Sequence, residues 1–280
     1  MPAYGTAAPV PFPPVADIRI GCSGWNYSAW AGHFYPGALG HADWLRYYAT
    51  VFDTVEINNS FYRLPARETF SGWRRQTPGG FVFAVKASRY LTHLKRLRDP
   101  EEPVMRLFDR ARGLGMKLGP LLYQLPPQQA VDFPRLDRFL AALPRTRLRG
   151  LPVIEFRHAS WYVPETFRRL EARGVSICLH DHRDGRYDGP WTGPLLYVRF
   201  HGTSGKYAGR YDDHALAPWA SRLEAHASRG GDAYAYFNND PAAAAPENAV
   251  MLKALLGDAS ARPSGRHAGM TASHSHSRNP

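Results

Sequence analysis

The chain has 280 residues, 44% of them hydrophobic and 13% aromatic, which is enough for one large domain with a buried core. Its formal net charge of +11 favours an anionic small molecule or nucleic acid as partner, although basic residues spread over solvated helix faces would give the same total. There is no run of about 18 apolar residues, which argues against a membrane partner. The first residues also lack a signal-peptide pattern, so we expect a cytoplasmic location. The sequence does not specify an oligomeric state.

Eight short runs rich in Val, Ile, Phe and Tyr occur along the chain, and helix-sized stretches separate them. The runs are IRIGCSG (18–24), TVEINNSF (54–61), FVFAVKA (81–87), GPLLYQLP (119–126), LPVIEFR (151–157), SICLHD (176–181), LLYVRFHG (195–202) and AYAYFNND (233–240). Apolar runs that alternate with helical spacers are typical of βα units and a parallel sheet. Eight such units predict an α/β fold, a single-domain (β/α)8 TIM barrel with its active site at the carboxyl ends of the strands.

The spacers and the chain ends complete this organisation. Helical spacing of apolar residues occurs in GHADWLRYYATVF (40–52), ARETFSGWRRQT (66–77), VMRLFDRARGLG (104–115) and VPETFRRLEARG (163–174). Composition predicts a flexible N-terminal arm over residues 1–16, a barrel domain over 17–257 and a disordered C-terminal tail over 258–280.

Alternation within each strand assigns side chains to the two faces of the predicted sheet. The outer face should be apolar because it packs against helices, so the polar set points inward near the top of the barrel. The predicted inward ring consists of Glu56, Asn58, Lys86, Gln124, Glu155, Arg157, Arg199, His201 and Asn238, with His180 or Asp181 from the sixth strand. Just beyond strand ends lie His93 and His158, either of which could instead cap a loop. An aromatic rim for stacking a base or a sugar could include Trp25, Tyr62, Trp161 and Tyr162.

The composition of the ring leaves two interpretations open. Buried charges are costly without partners, so the ring either neutralises itself, as with Glu155 on Arg199 and Glu56 on Lys86, or binds a ligand. For a ligand, Arg157, Arg199 and Lys86 suit a phosphate or a carboxylate. We predict His201 as the proton-transfer residue, with Glu56 or Glu155 orienting it or accepting a metal. The remaining predicted substrate-binding residues are Asn58, Gln124, Asn238, Trp25 and His158.

Metal-ligand residue types are present without metal-ligand spacing. Carboxylates and imidazoles occur in the ring, but the interleaved Arg and Lys compete for the carboxylates, and no HxH or HExxH pattern supports a site. We therefore assign no metal ligand or cofactor, and a divalent metal remains possible without support from spacing. Cys22 and Cys178 fall in strands one and six, far apart around a barrel, so no disulfide is expected.

Eight segments, in order over roughly residues 18–257, match a known pattern. They are IGCSGWNYSAW (20–30), FYPG (34–37), TVEINNSFYRLP (54–65), FAVKASRYLTHLKRL (83–97), LGPLLYQLPP (118–127), EFRHASW (155–161), YVRFHG (197–202) and YFNND (236–240). With them the chain resembles the YecE-like family of bacterial barrels of unknown function. The resemblance implies a TIM barrel, and its likeness to endonuclease-IV-like and sugar-isomerase-like barrels has encouraged suggestions of nucleic-acid binding. It supplies no catalytic residues.

Three functions follow as hypotheses. The first is a protein that binds a phosphate-bearing substrate at the strand ends, with phosphodiester or phosphosugar chemistry, and thus a possible hydrolase acting on phosphate esters. The second is a non-catalytic nucleic-acid-binding module. The third is a carbohydrate-active or isomerase barrel that uses Glu56 and Glu155 as a pair. The third needs a carboxyl group of raised pKa, and the flanking cations argue the reverse.

Overall fold

The computed structural model describes residues 16–145, 150–204 and 207–260, and it contains the predicted barrel. Eight parallel strands are ordered β1-β8-β7-β6-β5-β4-β3-β2 around the sheet. Their bounds are β1 (Ile18–Cys22), β2 (Thr54–Ile57), β3 (Val82–Lys86), β4 (Leu118–Gln124), β5 (Pro152–Glu155), β6 (Ser176–His180), β7 (Leu196–Phe200) and β8 (Ala233–Phe237). All eight predicted strands and the single-domain (β/α)8 fold are confirmed.

Helices cover the outer face of the strands. They are α1 (Trp44–Val51), α2 (Asn59–Tyr62), α3 (Arg67–Arg75), α4 (Glu101–Ala111), α5 (Phe133–Ala142), α6 (Pro164–Glu171), α7 (Asp213–Ala227) and α8 (Ala244–Ser260). The last helix extends into the predicted C-terminal tail; the rest of that tail, and residues 1–15 of the predicted arm, lie outside the described residues. Among the described helices, none is long and apolar enough to cross a membrane.

The connection between β6 and β7 differs from the predicted βα alternation. Residues 181–195 are all described, and they contain no helix. Gly185, Gly189 and Gly193, with two prolines, interrupt this stretch and disfavour a helix. The chain instead returns along the strand end, where Tyr187 and His180 exchange backbone hydrogen bonds of 2.8 Å. The Tyr187 ring stacks on Tyr162, with centroids 3.9 Å apart.

The interior of the barrel is apolar at its centre and charged towards the carboxyl ends of the strands. Small and aromatic side chains fill the centre, among them Ala84, Leu122, Val153, Cys178, Tyr197 and Tyr236. Cys22 and Cys178 are both buried free cysteines. The polar ring therefore lies on a layer of packed, buried side chains.

The barrel closes between β1 and β2 through the hydroxyl of Tyr48, which comes from α1. This hydroxyl accepts a hydrogen bond from the Cys22 backbone N–H at 2.8 Å and donates to the Thr54 carbonyl at 3.0 Å. A Cβ on Gly21 would lie 2.3 Å from the Thr54 carbonyl oxygen, so the close approach of the two strands requires glycine there. Further along, Ser23 and Glu56 form an isolated parallel bridge.

We predict that Tyr48→Phe lowers the free energy of unfolding by about 1–3 kcal/mol, because it leaves a buried N–H and a buried carbonyl without their shared partner. Urea denaturation measures this change, and Tyr90→Phe, at a tyrosine that is 49% exposed, is the matched control. A Tyr48→Phe variant as stable as the control would show that the hydroxyl does not close the barrel.

Candidate functional site

The centre of the polar ring is the guanidinium of Arg199, which lies between two glutamates. Its Nη2 is 2.8 Å from Glu56 Oε1 and its Nη1 is 2.8 Å from Glu155 Oε2. All three side chains have 0% exposure. These residues come from β7, β2 and β5, so one side chain ties three separate strands together. The buried charges are paired, as a buried ion requires.

Each glutamate has further partners. Glu155 Oε1 accepts from Arg157 Nε at 2.6 Å, and Glu56 Oε2 accepts from the Tyr197 hydroxyl at 2.6 Å. The Ser23 hydroxyl donates to Glu56 Oε1, and the Asn58 amide donates to that hydroxyl at 2.8 Å. Burial raises the pKa of Glu155, but Arg157 and Arg199 outweigh burial and hold this pKa well below its usual range. Glu155 is therefore an ionised carboxylate.

His201 lies against both guanidinium groups. Its Nε2 is 3.2 Å from Arg157 Nη2 and 3.3 Å from Arg199 Nη1. Guanidinium nitrogens only donate, so Nε2 accepts and the proton of the neutral ring is on Nδ1, which faces Asp181 Oδ1 at 3.5 Å. Burial, with Arg199 next in effect, holds the pKa of His201 well below its usual range. The proton-transfer role of His201 stays a prediction, and these surroundings favour a neutral, orienting imidazole.

A cavity of about 650 Å³ opens above this lattice, at the carboxyl ends of the strands. It is lined by Tyr27, Asn58, Phe61, Tyr62, Lys86, Arg89, His93, Gln124, Pro127, Arg157, His182, Asp184, Tyr207, Asn238 and Asp240. Five predicted substrate-binding residues therefore share one cavity: Asn58, Lys86, Gln124, Arg157 and Asn238. Beneath its floor, Glu56, Glu155, Arg199 and His201 form the paired layer.

Lys86 is a largely buried cation of the cavity wall, and it has no acidic partner among the described residues. Only 8% of the residue is exposed, and among the described residues its ammonium makes no ion pair or hydrogen bond. It lies 4.5 Å from the centroid of the Phe61 ring. Burial, with Arg199 next in effect, lowers the pKa of Lys86 to about 7. Glu56 pairs with Arg199 instead of Lys86, so the self-neutralising arrangement expected from the sequence includes Arg199 and Arg157 and leaves Lys86 out.

Asp240 also lines this cavity, and its pKa is shifted in the opposite direction from that of Lys86. Burial raises the pKa of Asp240 to about 7. Its Oδ1 atom is buried and has no hydrogen-bond partner among the described residues. Two imidazoles of the same cavity stay neutral near pH 7, because burial lowers the pKa of both His93 and His182 to about 4. Near neutrality, Lys86 and Asp240 are therefore the two groups of the wall that change charge.

Some predicted residues lie elsewhere. The His158 ring accepts from the Ser160 backbone N–H at 3.3 Å and contacts its hydroxyl at 2.8 Å, so it caps a short 3-10 helix (Ala159–Trp161). Trp25 lines a neighbouring groove instead of the central cavity. Trp161 is buried against Phe156, with ring centroids 4.5 Å apart.

Sequence reasoning missed several residues of the cavity wall, and the signals for them differ in strength. Asp240 stands two residues after Asn238, on the same alternating face, and this spacing could have identified it. Arg89 lines the cavity beside the predicted His93, at the start of a π-helical turn over Tyr90–Leu94 that the sequence analysis did not predict. Tyr27 and Tyr207 come from loops whose path no periodicity predicts.

In the described ranges 16–145, 150–204 and 207–260, no group of three or more His, Cys, Asp or Glu side chains is placed to hold a metal ion. The two carboxylates nearest the centre, those of Glu56 and Glu155, are both engaged by Arg199. No residue is therefore assigned to a metal.

The fold and the site define a single-domain (β/α)8 barrel with a charged cavity at the carboxyl ends of its strands. The chain belongs to the family described as protein of unknown function DUF72, whose model matches residues 19–271. The UPF0759 protein YunF of Bacillus subtilis (strain 168) is 26% identical over 274 residues, 85% of this chain and 94% of that protein. The UPF0759 protein YecE of Escherichia coli (strain K12) is 31% identical over 172 residues, 59% of this chain and 60% of that protein.

A solved structure has the same fold. The crystal structure of a DUF72 family protein from Thermotoga maritima MSB8 superposes with a TM-score of 0.77 at 27% identity, covering 86% of this chain and 99% of that chain. The predicted YecE-like resemblance is thus confirmed. These names state no activity, so function must be argued from the site.

We predict that Arg199→Met lowers the free energy of unfolding by about 3–5 kcal/mol, because two buried glutamates lose their shared cation. Urea denaturation at neutral pH measures the loss. Arg138→Met is the control: that arginine is exposed, pairs with Asp99 and Glu101, and should leave stability unchanged. Equal stability of the two variants would mean that the lattice does not depend on Arg199.

Proposed function

We propose that the central cavity binds a phosphate-bearing small molecule, with Lys86, Arg89 and Arg157 as the groups that receive the anion. The observation that carries this proposal is Lys86, a residue only 8% exposed that lines the cavity and has no acidic partner among the described residues. A largely buried, unpaired cation destabilises the empty protein, and a bound anion would remove that cost. Residues retained at such a cost are typical of binding and catalytic sites.

The charge balance of the cavity supports the same proposal. Glu56 and Glu155 are neutralised by Arg199 and Arg157, so no carboxylate of the ring remains for Lys86. At the rim, Asp184 lies near Arg183, with Oδ1 3.5 Å from Nε. Below about pH 7, Asp240 is protonated, which leaves Lys86 and Arg89 as unopposed positive charge. Phosphate is a good match, because Arg offers a bidentate donor edge and Lys a point charge.

The glutamate-pair hypothesis has less support. Glycoside cleavage needs one carboxyl group that stays protonated to act as the acid. Burial favours this state for Glu155, but Arg157 and Arg199 hold the pKa of Glu155 well below its usual range. The protonated carboxyl near neutrality is Asp240 instead, so a phosphate-ester hydrolase built on this cavity would use Asp240 to protonate the leaving oxygen.

We predict that Lys86→Met abolishes anion binding and, at pH 7, raises the free energy of unfolding of the ligand-free protein by about 1–2 kcal/mol. A thermal-shift screen against inorganic phosphate, sugar phosphates and a short single-stranded oligonucleotide tests the first half, and urea denaturation tests the second. Lys253→Met, on the exposed surface of α8, loses the same charge and serves as control.

Three outcomes of that screen contradict the proposal. One is that no anion stabilises the wild-type protein. Another is that Lys86→Met binds phosphate as tightly as the Lys253→Met control does. The third is a shift by the oligonucleotide alone, with the steep salt dependence of counterion release, which would support the nucleic-acid-binding hypothesis instead.

Anion affinity should depend on pH with a defined sign. Sulfate is the probe, because its charge is constant over this range. As the pH rises through about 7, Lys86 loses its positive charge and Asp240 gains a negative one, so both changes weaken binding. We predict that sulfate affinity, measured by calorimetry, falls by about tenfold or more from about pH 6 to about pH 8.5. Asp240→Asn should reduce this slope, and affinity that rises with pH would contradict the assignment.

A further inference from the structure

A second cavity adjoins the charged one and is lined very differently. It has a volume of about 590 Å³ and is lined by Gly24, Trp25, Asn26, Tyr27, His41, Ala42, Leu45, Asn58, Asn59, Tyr62, Trp73 and Gln76. Three of these residues, Tyr27, Asn58 and Tyr62, also line the charged cavity. The two cavities therefore adjoin at these three residues.

Aromatic rings form the walls of this second cavity, which we call the aromatic groove. Trp25 follows β1 and Trp73 lies on α3; their ring centroids are 5.2 Å apart, at an interplanar angle of 85°. Tyr62, at the end of α2, is 76% exposed, which is unusual for a large aromatic side chain and leaves its ring open to a partner. The rings come from three elements that meet at this point, and their faces and edges can hold a planar group.

Amide side chains complete the groove. Asn26, Asn59 and Gln76 each carry both donors and an acceptor, and the His41 imidazole adds another pair of polar atoms. Asn26 and Asn59 are both exposed. Amides beside aromatic rings are the combination that reads the polar edge of a stacked base, since every base offers a flat face and an edge of donors and acceptors.

We propose that the two cavities form one bipartite site for a nucleoside phosphate. The phosphate lies beside Lys86, Arg89 and Arg157, the base stacks in the aromatic groove, and the sugar spans the shared residues Tyr27, Asn58 and Tyr62. This inference rests on the proposed function, because it takes the anion site as given and names the group attached to the anion. It identifies the substrate class by chemistry, as a phosphate linked to a planar, hydrogen-bonding ring.

Calorimetry of the full chain with four probes tests the inference: inorganic phosphate, ribose 5-phosphate, adenosine and adenosine 5′-monophosphate. The monophosphate should bind at least about tenfold tighter than ribose 5-phosphate, because stacking of a base is worth about a five- to hundredfold change in affinity. Trp73→Leu should remove that advantage while the affinity for inorganic phosphate stays unchanged, since Trp73 lines the aromatic groove and not the charged cavity. Tyr62→Ala should remove the advantage as well. Tyr62 is exposed, so its variant keeps the test valid if the Trp73 variant fails to fold. Tyr90→Ala, outside both cavities, is the control.

The outcomes separate this inference from the function on which it rests. Phosphate binding that Lys86→Met abolishes, with adenosine 5′-monophosphate no tighter than ribose 5-phosphate, overturns the nucleoside assignment and leaves the anion site standing. Unchanged monophosphate affinity in both groove variants overturns it as well. Absence of binding by every phosphate probe overturns both proposals. A monophosphate affinity that depends on the groove and on Lys86 together supports the bipartite site.

Discussion

The guanidinium of Arg199 determines what the rest of the site can be. It lies inside the barrel near the carboxyl ends of the strands, with 0% exposure, and it pairs with two glutamates from other strands of that barrel. A buried cation of this kind needs acidic partners, and both glutamates pair with it. Arg157 and Arg199 together hold the pKa of Glu155 well below its usual range, so Glu155 does not serve as an acid. Neither glutamate pairs with Lys86 among the described residues.

Because Glu56 and Glu155 pair with arginines, the layer above them has a cation without a carboxylate partner. Lys86, one layer higher, is as buried as a core residue but has no carboxylate to meet, and its pKa falls to about 7. Asp240 is shifted in the opposite direction, to about 7. A paired lower layer and an unpaired upper layer thus have different roles: the first fixes strand positions, and the second presents adjustable charge to the cavity. The aromatic groove lies beside this cavity and shares Tyr27, Asn58 and Tyr62 with it.

The sequence was sufficient for the fold and for the membership of the ring, but not for the pairings. Alternation within strands correctly placed Glu56, Glu155 and Arg199 inside, because a period of two determines the face of each side chain. Alternation does not give distances across the barrel. Glu56 was therefore predicted to pair with Lys86, whereas in the structure it forms an ion pair with Arg199. Closure by the Tyr48 hydroxyl depends on how a helix docks, and no local pattern contains that information. The absence of a helix between β6 and β7, by contrast, could have been predicted from the glycines and prolines of that connection.

Titration of Lys86 tests most directly whether this side chain is desolvated in the empty cavity and contacts a bound anion. Nitrogen-15 NMR of labelled lysine ammonium groups, assigned with Lys86→Met, follows its protonation without and with saturating phosphate. We predict a midpoint at about 7 in the ligand-free protein and a clear upward shift when phosphate is bound. A midpoint near the ordinary lysine value of about 10.4, unmoved by phosphate, would contradict it, because Lys86 would then be neither desolvated nor in contact with the anion.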